Sequence, residues 1–99
     1  MAAHPHEMMI PPAAATDRQA FEILRVWVGQ GRQHVSLSPN TWDDPAAWGL
    51  MLVDLARHVA NAYEQNGRMK SAAALDRIKR GLDAEWNSPT DAPRGSLLT

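Results

Sequence analysis

Asp54, Arg57 and His58 fall together in the stretch WGLMLVDLARHVANAY, residues 48–63. On a helix Asp54 reaches Arg57 at i+3 and His58 at i+4. Such a group could do acid–base work. Asp54 would orient His58 as a general base, and Arg57 would hold a carboxylate or phosphate. A small enzyme or anion binder is therefore one reading, with Asp54, Arg57 and His58 as its catalytic candidates. The other reading needs no further assumption. The same residues, with Asn61, Glu64 and Gln65, make one polar stripe at three- and four-residue spacings. That stripe is then the solvated or subunit-facing edge of an otherwise apolar helix. An i,i+4 Asp–His pair contributes only a few tenths of a kcal/mol there. This second reading is preferred, because no nucleophile neighbours the group in sequence.

Other chemistry is sparser still. The chain has no cysteine, which removes disulfides, thiolate metal sites and cysteine nucleophiles. His4 and His6 sit among prolines, His34 on a predicted strand and His58 on a predicted helix, with no HExxH spacing. No metal or other cofactor is expected. Arg68, Lys70, Arg77, Lys79 and Arg80 face only Asp76 between residues 68 and 80. Arg77, Lys79 and Arg80 could meet nucleic acid or an acidic partner. The segment lacks aromatic residues for base stacking, so a solvated helix face is the simpler account and nucleic acid is not expected.

The elements that carry these residues can be read from periodicity. FEILRVWV, residues 21–28, is rich in β-branched and aromatic types, and QHVSL follows a glycine-flanked loop. Pairing Val28 with Gln33 puts Val26 opposite Val35 and Leu24 opposite Leu37. Those five apolar residues then share one sheet face. A two- or four-residue loop gives this register, while a three-residue loop flips one strand. The opposite face carries Phe21, Ile23, Arg25 and Trp27 against His34 and Ser36. That face is half apolar, and a lone hairpin is marginal. Either the N-terminal arm or a partner subunit is expected to cover it. Trp27, Arg25 and His34, with Arg57 and His58, are the candidate ligand- or partner-binding residues.

Asp44 before Pro45 marks a helix start, and the helix is expected to run to about Gln65, stopped by Asn66-Gly67. A second helix is predicted over about 69–86, with Leu75, Ile78, Leu82 and Trp86 on one face. Asp76–Arg80 and Lys79–Asp83 are spaced for exposed ion pairs. The central helix is apolar over most of its circumference, with Trp48, Met51, Leu52, Leu55, Val59, Ala62 and Tyr63 as its main face. A helix of that kind is contacted on more than one side. Trp42 and Trp48 flank its start and are expected to clamp the turn.

The expected architecture is α+β: a β-hairpin followed by two α-helices packed on one sheet face, completed by oligomerisation. Residues 1–16 contain Pro11-Pro12, read as forbidding a helix, and form a flexible arm. Residues 17–87 form a single small domain, and residues 88–99 a flexible tail. At 99 residues and net charge −1, the chain is one domain at most and not built to coat nucleic acid or an anionic membrane. No apolar run approaches the roughly 20 residues of a membrane span. The N-terminus lacks the pattern of a secretory signal. A cytoplasmic location and no membrane contact are expected.

IPPAA, LRVWV, QHVSL, W-D-D-P-x-x-W-G, ARHVANAY and EWNSPT occur in this order. Together they resemble a family of bacterial proteins of this size, mostly proteobacterial, classed as a domain of unknown function. The resemblance covers about residues 9–90. It implies an independent small domain and transfers no activity, cofactor or site. The resulting expectation is a non-catalytic, homo-oligomeric module, a dimer first of all, that binds a protein or a small anion.

Overall fold

The computed structural model describes residues 4–90 and 95–99, and the rest of the expected arm and tail lies outside the described residues. The order is a one-turn helix α1 (Pro12–Ala15), strands β1 (Leu24–Gly29) and β2 (Arg32–Leu37), helices α2 (Ala46–Gln65) and α3 (Ser71–Asn87), and strand β3 (Leu97–Leu98). This is an α+β fold. The chain divides into two units, Met1–Ser38 with Gly95–Thr99, and Pro39–Arg94.

In the first unit β1 and β2 pair antiparallel with Leu24 opposite Leu37, Val26 opposite Val35 and Val28 opposite Gln33. The register read from the apolar pattern is the observed one. The loop is the two-residue Gln30-Gly31, with φ of 55° and 71°. Both residues therefore take the left-handed conformation that a tight hairpin turn needs to match strand twist.

Two expectations for this unit are corrected. Pro12 opens α1 rather than preventing it. Its missing N–H falls on a helical first turn, where no partner is required, and the amides of Ala15 and Thr16 donate to Pro11 and Pro12 carbonyls. At the other end, residues 88–99 do not form a free tail throughout. Leu97 and Leu98 pair parallel with Val35 and Ser36, giving a sheet of order β1-β2-β3.

In the second unit Asp44 Oδ1 accepts the Ala46 amide at 3.0 Å. Pro45 already has helical φ and ψ of −57° and −20°. The edge-on Trp42–Trp48 contact, with centroids 5.1 Å apart, closes the same corner. At its far end α2 stops as Asn66-Gly67 suggests. Gly67 has φ 69°, its amide donates to Glu64 O, and the Arg68 amide reaches back to Tyr63 O. This double bond pattern satisfies the last carbonyls of the helix. Glu64 then accepts the Ser71 amide at 2.8 Å, tying the start of α3 to the end of α2.

Candidate functional site

The helix pair packs through its smallest residues. Ala60 on α2 and Ala74 on α3 are the buried apolar residues among the described ones, at 2% and 3% exposure. They lie near the connecting turn. Towards the other end the helices leave a groove of about 480 Å³ between them. Its floor and walls are Leu52, Val53, Leu75, Ile78, Leu82 and Trp86, and Arg57, Lys79 and Asp83 stand at its rim. Leu52, Val53 and Leu82 are each about half exposed, and Trp86 is 79% exposed. Leu55 and Val59, on the neighbouring face of α2, are open as well.

The main apolar face expected for α2 is therefore only partly turned towards α3: Leu52 lines the groove, while Leu55 and Val59 do not. The side that meets α3 carries Ala56 and Ala60, because small side chains let two helices approach. The large residues Leu52, Leu55 and Val59 are left 41% to 50% exposed.

The polar stripe of α2 is open. Asp54 and Arg57 approach to 3.9 Å with side chains 72% and 64% exposed. His58 is exposed and has no partner among the described residues. The structure thus brings Asp54 and Arg57 together loosely and leaves His58 beside them. Of the basic residues considered for nucleic acid, Lys79 pairs with Asp83 at 2.7 Å and Arg80 with Asp76 at 2.9 Å, while Arg77 is exposed. Hydrogen bonding to Asp83, and then its charge, raises the Lys79 ammonium above its ordinary value. Arg68 lies over the Tyr63 ring at 5.3 Å.

Arg25, Trp27 and His34 do share one sheet face, with Trp27 directly opposite His34. Each is already engaged within the chain. Arg25 Nε meets Glu22 at 2.9 Å, and its Nη2 lies 3.4 Å from Glu7. The Glu22 hydrogen bond, then the Glu22 charge, holds the guanidinium above its usual range. Trp27 meets the edge of His4 with centroids 5.0 Å apart. The N-terminal arm thus lies on this face, one of the two covers its composition called for.

His34 reaches furthest along the chain. Its Nε2 lies 3.0 Å from Gly29 O, and its Nδ1 lies 2.8 Å from Ser96 Oγ and 3.1 Å from the Ser96 amide. The amide has to donate, so the consistent tautomer carries its proton on Nε2 and donates it to Gly29. A Ser–His contact invites a nucleophile reading. Here the imidazole lone pair already receives the backbone N–H of the same serine, so the pair works as a clamp. The clamp holds the chain into β3, where the Val35 amide donates to Ser96 O at 2.8 Å. Gly95, with φ 103°, passes so close that an added Cβ would overlap Gln33 O. Sequence reasoning missed Ser96 and Gly95. The available signal was a glycine before a serine and two leucines in a polar segment.

Among the described residues no group of three or more His, Cys, Asp or Glu side chains could hold a metal. No helix there is long and apolar enough to cross a membrane.

The chain matches, over residues 7–90, the family described as Domain of unknown function (DUF5076). It also resembles a solved structure from the photosynthetic bacterium Rhodopseudomonas palustrus CGA009, described as a "putative pyruvate dehydrogenase". The two are 33% identical with a TM-score of 0.72, over 95% of this chain and 96% of that one. No curated protein matches the chain. The chain belongs to the DUF5076 family.

Proposed function

We propose that this member of the DUF5076 family is a non-catalytic, homo-oligomeric module of the cytoplasm, which assembles through apolar side chains of its helix pair. The observation that carries this reading is the burial pattern. No large apolar side chain of the described residues is buried, while Val26, Val28, Leu52, Leu55 and Val59 are all at least 41% exposed. Covering a half-exposed leucine contributes about 1 kcal/mol. A chain whose large apolar side chains are at best partly covered leaves hydrophobic stabilisation unused, and association adds burial.

The description of the R. palustrus protein would, if carried over, give this chain a dehydrogenase activity on pyruvate. Asp54, Arg57 and His58 are the side chains nearest to such a task. Asp54 and Arg57 are 72% and 64% exposed and His58 is exposed, so water screens their charges. The assembly reading is tested by light scattering after size exclusion, together with pyruvate turnover. It predicts an oligomer at micromolar concentration and no turnover above background. A strict monomer refutes the assembly, and pyruvate consumption that Asp54→Asn abolishes refutes the absence of catalysis.

A further inference from the structure

We infer that the groove between α2 and α3 is the self-association site, occupied by the same two helices of a second copy crossing it about a two-fold axis. This rests on the oligomeric reading above and says where the copies meet. Three observations favour a second copy over another occupant.

The first is area. Leu52, Val53, Leu82 and Trp86 in the groove, with Leu55 and Val59 on the adjoining face of α2, are 41% to 79% exposed. At roughly 150–200 Å² for a fully exposed large side chain, they leave on the order of 500 Å² of apolar surface. Two copies facing each other would bury about 1,000 Å², the size at which a specific interface begins.

The second is charge. The groove is rimmed by Arg57, Lys79 and Asp83, with Asp54 beside Arg57. Both signs stand around an apolar middle. A two-fold contact brings each residue against a different residue of an identical patch, so a rim of mixed sign is complementary to itself. A wholly basic rim would repel its copy and favour an anionic partner instead.

The third is shape. Trp86, 79% exposed, forms part of the groove wall on α3, and the aliphatic side chains Leu52 and Val53 of α2 line the same groove. Knob and hole on one chain exchange symmetrically: the indole of each copy covers Leu52 and Val53 of the other. An exposed tryptophan facing an apolar pocket is the usual anchor of an interface.

The test uses the full chain. Leu82→Glu places a charge in the groove, and Val28→Glu places one on the exposed face of the sheet. The dimer dissociation constant, measured by sedimentation, is expected to rise at least about thirty-fold for Leu82→Glu and to change little for Val28→Glu. Because the chain has no cysteine, Leu52→Cys and Trp86→Cys variants can also be mixed under mild oxidation. A mixed disulfide between the two variants supports the crossing and does not depend on Leu82→Glu folding well. A wild-type monomer defeats the oligomeric reading itself. An oligomer that survives Leu82→Glu, yields no mixed disulfide and is broken by Val28→Glu leaves that reading standing. It overturns the groove as its site and gives the groove to another protein or an apolar ligand.

Discussion

The sheet and the helix pair are organised by opposite means. In the sheet, position is fixed by groups that act locally or through backbone hydrogen bonds: a two-residue turn with positive φ, an alternating register, and a histidine that clamps a third strand. In the helix pair the termini are equally well defined, by Asp44 at one end and Gly67 at the other. Between its two helices, however, only the alanines Ala60 and Ala74 are buried among the described residues. The sheet face around Trp27 is covered by the arm, while Leu52, Leu55 and Val59 of α2 are left 41% to 50% exposed. Well-made ends thus do not guarantee a filled interior. The helix pair looks finished along its axis and open across it.

This contrast can be broken from either side. The largest effect is expected at the helix contact. Ala74→Leu forces a large side chain into the closest approach and should destabilise the chain by about 1–3 kcal/mol in urea unfolding. An unchanged midpoint would mean that the alanine contact does not set the pairing. In the sheet, Gly95→Ala cannot keep its backbone path beside Gln33. Strain of about 1–3 kcal/mol should release β3. Hydrogen exchange at the Val35 amide should then rise while the Val26–Val35 pairing of the hairpin persists. His34→Ala should give the same local loss in milder form. At the turn, Gly31→Ala at φ 71° is expected to cost about 1 kcal/mol, read as a lower thermal midpoint.

The smallest effect belongs to the exposed pair on α3. Asp83 raises the Lys79 ammonium value in the folded chain. The folded state therefore holds this proton more tightly than the unfolded one. Its contribution is fully present below the lysine value of the unfolded chain and is lost as pH rises through the raised value of the folded chain. Asp83→Asn should thus lower the thermal midpoint slightly at pH 7 and leave it unchanged at strongly alkaline pH. The difference at pH 7 should also shrink with added salt.

How much of this was legible in the sequence follows the same division. Hairpin register was readable because side chains alternate with a period of two, so one wrong residue in the loop scrambles the apolar face. The helix limits were readable from Asp44-Pro45 and Asn66-Gly67, whose effects are local. Strand β3 was not, because a two-residue parallel strand has no periodicity and depends on His34 and Ser96, far apart in the chain. The packing side of α2 was not legible either. Periodicity located the face of Leu52, Leu55 and Val59, but it does not say whether a face meets a neighbour in the chain or a different molecule. The Asp54–Arg57–His58 group was legible from its three- and four-residue spacings, and in the structure Asp54 and Arg57 approach to 3.9 Å with all three side chains exposed.

The account stands most directly on the mass of the protein in solution. Sedimentation equilibrium of the full chain at micromolar concentration should give a species of about twice 10.9 kDa, dissociating on dilution. A single species at 10.9 kDa across that range would contradict it.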